Sequence, residues 1–250
     1  QIPTITSLEK IKIEAVLAGG KSPFSGVGAD TLRTLHERAK LAKKPGAKPY
    51  RKGPISLPTT TTELFFDIEV DPMRDICYLH GFVERHNSDA STESYVSFFT
   101  NDVSDVEEER IFLEAIDYIN SKQPCVLYFY SKYERTWYRK LQGRYPSVCT
   151  AAHIETLFNP SQSVDLYEVV RKLTEWPTRD FSIKTLARFL GFNWRDTDPS
   201  GAASIEWFHR WAANSDPEIK QRILDYNEDD CIATRVVLDG VHALALKDQT

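Results

Sequence analysis

From residue 63 the chain carries three apolar runs rich in aromatic and β-branched residues: "ELFFDIEV" at 63–70, "ICYLHGFVER" at 76–85 and "ESYVSFFT" at 93–100. Such runs predict strands, and the short polar segments between them predict hairpins, so the three strands should lie antiparallel. The period then changes. "SDVEEERIFLEAIDYINSK", 104–122, places Ile111, Phe112, Ala115, Ile116 and Ile119 on one helical face. Ser104 can cap that helix, and the acids of 105–109 suit its positive end. A buried strand at 124–130, a helix near 133–142, a short strand and helix within 163–173, a helix at 182–191 ended by Gly191, and a last helix over roughly 226–246 follow. The order β-β-β-α-β-α-β-α predicts an α/β fold. A meander of three antiparallel strands, extended by two crossover-connected parallel strands, makes a five-stranded mixed sheet with helices on both faces.

Before residue 63 the texture is different. Residues 5–16 and 29–42 have helical spacing, with "SGVG" at 25–28 between them, and form a small helical N-terminal segment, 1–42. The G-x-G of Gly26 and Gly28 is either a plain turn or a helix-hairpin-helix element whose backbone N–H groups hold a phosphate. "KKPGAKPYRKGPISLPTTTT", 43–62, reads as an extended basic linker, and 63–250 as the main domain. Residues 1–62 hold eleven Lys/Arg against four Asp/Glu, whereas the remaining 188 hold twenty against thirty-two. The net charge of −5 therefore conceals a basic segment on an acidic domain.

No run of about 18 apolar residues and no signal-peptide pattern is present, so neither a membrane span nor secretion is expected. Cys77, Cys125, Cys149 and Cys231 form no C-x-x-C pair and read as reduced thiols of a cytoplasmic protein. Beginning at Gln1 rather than Met, the chain is open to being a piece of something longer.

The chemistry sits in the acids. Residues i and i+2 of a strand share a face, so Asp67 and Glu69 project together while Phe66 and Ile68 point the other way. Two anions on so apolar a strand repel each other and resist desolvation unless something positive lies between them. A solvated face or a Lys/Arg partner would also satisfy them. In "YNEDDC", 226–231, read as the opening of the last helix, Tyr226 and Asp230 stand one above the other at i and i+4. Glu228 and Asp229 there suit the helix dipole. Glu134 begins the helix after the buried strand, and Asp165 interrupts another apolar segment, where it can also cap the helix that follows.

D-x-E on the first strand, an acid about 65 residues on and Y-x-x-x-D near the end form a pattern that resembles the Tyr-containing branch of the DEDD exonuclease superfamily, of ribonuclease H-like fold. "FFDIEVDP", "YFYSKYE", "VDLYEVVRK", "FSIKTLARFLGFNWR" and "ILDYNEDDCIAT" more closely resemble predicted RecB-like nucleases with a C-terminal ribonuclease H-like domain, over about 63–246. Glu134 stands where that superfamily has Asp. The resemblance implies a 3′-to-5′ exonuclease on single-stranded DNA or RNA, using two divalent cations, Mg²⁺ or Mn²⁺. It further implies that Asp67 bridges both ions, Glu69 and Asp230 bind the nucleophile-side ion, Glu134 supports the second, the Tyr226 hydroxyl positions the attacking water and Asp165 is an auxiliary ligand. A set of carboxylates without Cys or His suits such hard cations.

Candidates for holding nucleic acid are Lys132 and Arg135 beside Glu134, Lys184, Gly201, and Lys43, Lys44, Lys48, Arg51 and Lys52 of the basic segment. Trp207, Phe208 and Trp211 could stack on bases or pack in the core. Two further functions stay open: a catalytically impaired module that binds nucleic acid or a fused or associated helicase or nuclease domain, and an endonuclease on the same fold.

Overall fold

The computed structural model describes residues 5–197 and 200–247. In chain order the elements are α1 (Ile5–Lys10), α2 (Ile13–Val16), α3 (Ala29–Lys43), β1 (Tyr50–Arg51), β2 (Thr62–Asp71), β3 (Ile76–His86), β4 (Asp89–Phe99) and α4 (Asp105–Ser121). There follow β5 (Cys125–Phe129), α5 (Tyr133–Arg144), α6 (Ala151–Leu157), β6 (Ser163–Asp165), α7 (Leu166–Leu173), β7 (Thr174–Glu175), α8 (Ile183–Phe189), α9 (Gly201–Asn214) and α10 (Pro217–His242).

The main sheet has the order β4-β3-β2-β5-β6. Its β2–β3 and β3–β4 pairs are antiparallel, and β2–β5 and β5–β6 are parallel, as the element order predicts. β2 lies in the middle, covered on both faces, which is why its sequence is a nearly continuous apolar run. Leu64, Phe66 and Ile68 pack with Phe112 and Ile116 of α4 and Tyr138 and Leu141 of α5. Phe65, on the opposite face, packs with Cys231 and Leu238 of α10. Asp67 and Glu69 have the same parity as Phe65, so the strand's alternation aims both carboxylates at α10.

α10 begins at Pro217, with the Asp216 side chain accepting from the Glu218 N–H, two turns earlier than the expected start at 226. An Asp cap followed by Pro in the first turn is the standard start of a helix; the sparse apolar positions of 217–225 conceal it. Tyr226 and Asp230 therefore lie in the middle of a rigid 26-residue helix rather than at its frayed end. Arg85, buried on β3, pairs with Glu63 at 2.8 Å and with Asp239 of α10 at 2.9 Å, tying the helix to the sheet.

Trp207, Phe208 and Trp211 of α9 are buried, with Phe208 stacked on Tyr78 at 3.9 Å between centroids. Their role is packing. Residues 43–62 have little regular structure beyond β1, and they lie on the main domain. β1 pairs with β7, the Arg51 N–H donates to the Ala245 carbonyl at 2.9 Å, and Ile55 and Leu57 join the cores. Gly26 takes a positive φ of 75° in the turn, and Gly28 is the N-cap of α3. Among the described residues no helix is long and apolar enough to cross a membrane, and all four cysteines are free thiols.

Candidate metal centre

The middle strand and the long helix meet at their carboxylates. Asp67 and Glu69 of β2 and Asp230 of α10 each offer an oxygen, and these oxygens all lie within 4.8 Å of one another. Glu134, in the first turn of α5, lines the same cavity of about 430 Å³, together with Tyr226, Tyr133 and Gly201. Its Oε2 is buried and has no hydrogen-bond partner among the described residues.

Such crowding is electrostatically unfavourable by itself. Burial, then the charges of Asp230, Glu69 and Glu134, hold the Asp67 carboxyl well above the usual carboxylate range. Burial and Asp230 raise Glu69 to about 8. Asp230 rises to about 6, again through burial, against the opposing pull of Lys184, the Trp194 indole and the Tyr226 hydroxyl. Glu134 is raised by burial and by Asp165 and Asp230. Three converging carboxylates, a fourth with an orphaned oxygen, and no sulfur or nitrogen ligand among them fit hard divalent cations.

The metal-free protein should report this repulsion. A carboxyl whose pKa is higher folded than unfolded contributes stability that is complete below its unfolded value, 3.8 for Asp and 4.5 for Glu, and is lost as pH rises through the folded value. In EDTA the melting temperature is therefore expected to fall by several degrees between pH 5 and pH 8.5. Mn²⁺ should flatten the fall, and Asp230→Asn should remove part of it. Identical slopes in the wild type and the variant would exclude the cluster as their source.

Each of the three converging carboxylates is held from outside. The Asn227 amide donates to Asp67 Oδ2 at 2.8 Å and accepts from the Tyr95 hydroxyl at 2.8 Å. The Trp194 indole donates to Asp230 Oδ1 at 2.7 Å, and the Tyr78 hydroxyl reaches Glu69 at 3.3 Å. Lys184 of α8 donates to the Tyr226 hydroxyl at 3.0 Å. Burial and the three acids push the Tyr226 phenol far up, so it remains a neutral hydroxyl one turn from Asp230.

Asp229 does not serve a helix start. It accepts from the Arg195 backbone N–H at 2.7 Å and from its guanidinium at 2.9 Å, and Glu228 takes the same guanidinium at 2.7 Å. This clamp fixes the loop that carries Trp194.

Asp165 accepts from the Glu168 N–H at 3.3 Å, capping α7, and from the Ser131 N–H at 3.1 Å. Ser131 has a φ of 101°, so Asp165 steadies the strained turn that delivers Glu134. It lies outside the group of three carboxylates and lines an adjoining cavity with Lys132, Arg135 and Arg171, which meets the first at Ser131. Lys52 is paired with Glu175 at 2.8 Å, Lys44 lines a separate cavity, Arg51 lies in β1 and Lys43 is exposed at the end of α3. Asn227, Trp194 and Tyr95 were not legible as site residues. Asn227 borders Tyr226 in sequence, but its role depends on a strand more than a hundred positions away.

A mixed sheet of this order, with acids from its central strand facing acids on a late helix, defines a ribonuclease H-like domain with an acidic centre. The chain belongs to the RNase H superfamily, whose family model matches residues 64–241. Among curated proteins none matches the chain. Membership supports a nuclease in general terms, a hydrolase that binds nucleic acid.

Proposed function

We propose that the protein is a metal-dependent 3′-to-5′ exonuclease of the Tyr-containing DEDD type, acting on single-stranded nucleic acid, DNA in preference to RNA. The observation that carries this reading is the convergence of Asp67, Glu69 and Asp230, with Tyr226 one turn from Asp230 and Glu134 across the same cavity. Asp67, Glu69, Glu134 and Asp230 would hold two Mg²⁺ or Mn²⁺ ions. When bound, such ions supply activation of water and stabilisation of the oxygens in an in-line displacement at phosphorus.

The chain's own groups do the rest. Tyr226, a neutral hydroxyl steadied by Lys184, orients the attacking water by hydrogen bonding. Lys184 also offsets the accumulated negative charge beside Asp230 and Glu69. Lys132 and Arg135, which line the cavity adjoining at Ser131, would hold phosphates of the strand leaving the centre. Asp165 acts through Ser131, as a positioning residue for Glu134. A cavity of about 430 Å³ falls within the range of small-ligand pockets, about 300–1,000 Å³.

One observation favours a second reading. Glu134 is not within the group of three carboxylates, so an impaired module that binds nucleic acid without cleaving it would have the same architecture. Single-stranded DNA and RNA labelled at either end, incubated with Mn²⁺, separate the two. The exonuclease gives a descending ladder from 5′-labelled DNA and immediate release of mononucleotide from 3′-labelled DNA. Absence of products, or a ladder unchanged in Asp67→Asn, would overturn it; internal cuts without end release would indicate an endonuclease.

A further inference from the structure

Lysines cluster a second time, away from the carboxylates. The end of α3, the segment that follows it and residues 245–247 enclose a cavity of about 550 Å³ lined by Lys40, Lys44, Lys48 and Lys247, with Tyr50 and, among the described residues, a single acid, Glu37. We propose that this cavity is a phosphate-backbone site for nucleic acid, distinct from the acidic centre. The inference rests on the reading that nucleic acid is the substrate.

The cavity is held by backbone. Tyr50 and Arg51 pair with Glu175 and Thr174, the Arg51 N–H donates to the Ala245 carbonyl at 2.9 Å, and Arg51 bridges Leu246. These bonds bring Lys48 and Lys247, about two hundred positions apart in sequence, to one rim, with the Lys247 ammonium 5.8 Å from the centre of the Tyr50 ring.

Charges nearby are mostly engaged. Glu37 pairs with Lys40 at 3.3 Å; in the adjoining cavity Arg33 pairs with Glu14 at 3.1 Å and Lys52 with Glu175 at 2.8 Å. Lys44 and Lys48 are exposed and have no carboxylate partner among the described residues. Lys40 and Lys43 suffice to complement the negative end of α3, and that role cannot explain Lys48, which is off the helix. Gathering like charges is unfavourable unless an anion is shared between them, and a polyanion approaching an acidic main domain needs such an anchor.

The test is binding of a 5′-fluorescein-labelled single-stranded DNA oligonucleotide, followed by anisotropy in EDTA over a salt series. Lys44→Glu/Lys48→Glu is compared with wild type and with the charge-matched Lys10→Glu/Lys12→Glu, and Lys44→Gln/Lys48→Gln serves as a milder variant. The cavity variant should bind at least ten-fold more weakly at low salt. The Gln variant should give a log–log salt slope shallower by about 1.4, at about 0.7 per single-strand phosphate contact. The control should change less than three-fold. Equal losses in cavity variant and control, no loss, or no binding by wild type would overturn the proposal. Hydrolysis of the p-nitrophenyl ester of thymidine 5′-phosphate with Mn²⁺ is a separate arm, expected to be unchanged in the cavity variants. Cleavage by wild type with no separation of the binding curves rejects the cavity and leaves the nuclease reading standing. Separated curves without cleavage do the reverse.

Discussion

Asp67→Asn is expected to abolish Mn²⁺-dependent cleavage while leaving the metal-free protein as stable as wild type or more so. The substitution keeps the size of the side chain, and the new amide oxygen can still accept from Asn227, which holds Asp67 Oδ2 at 2.8 Å. What it removes is a charge held unfavourably by burial and by Asp230, Glu69 and Glu134. In EDTA that relief should raise the melting temperature, at about 2–4 °C per kcal/mol for a chain of this size. With metal the sign reverses. Losing the carboxylate should lower the cleavage rate by about 10³-fold or more, equivalent to about 4 kcal/mol of barrier, and eliminate the rise in melting temperature that Mn²⁺ gives wild type. A purely structural acid would behave in the opposite way. If the variant melts lower in EDTA and wild type does not respond to Mn²⁺, Asp67 is no ligand.

The sheet was legible because strand alternation is read directly from side chains. Phe66 and Ile68 on one face and Asp67 and Glu69 on the other follow from a period of two, and the structure places them so. The pairing of Tyr226 with Asp230 was legible for a related reason, since i and i+4 meet on any α-helix, whether it starts at 217 or 226. Where that helix starts was not, because the apolar stripe that signals it is thin in the first two turns. Lost with it was the role of Asp229, whose partner Arg195 lies 34 positions away and cannot be found by local spacing. Trp194 was hidden for the same reason. In the basic segment, composition did not convey that the chain lies against the main domain, because a two-residue strand such as β1 carries no pattern of its own.

Gly81 is where the site and the fold depend on the same absent atom. It sits opposite Asp67 in the β2–β3 ladder, and its missing side chain leaves room for Asn227 to descend from α10 and join Tyr95 to Asp67. A Cβ at 81 would lie 1.6 Å from Asn227 Oδ1, 2.8 Å from its Cγ and 3.0 Å from the Tyr95 hydroxyl. No small adjustment relieves a 1.6 Å contact, so Asn227, which is fully buried, must give up its place and one or both of its bonds. An unsatisfied buried polar group costs about 1–3 kcal/mol, and overpacking costs about 1–3 kcal/mol more. The strand gains only about 0.5–1 kcal/mol from replacing Gly by Ala. Gly81→Ala should therefore lower the melting temperature by about 5–15 °C and, by releasing Asp67, weaken the Mn²⁺ response. Gly240→Ala provides the contrast: its Cβ would meet the Leu190 Cδ1 at 2.5 Å, the far end of a flexible side chain that can turn away, and the loss should be much smaller. In the Asn227→Ala background the 1.6 Å and 2.8 Å contacts are gone and only the 3.0 Å approach to the Tyr95 hydroxyl remains, so adding Gly81→Ala should cost much less than it does in wild type. A double variant no better than the sum of the singles would show that Gly81 is required for some other reason than admitting Asn227.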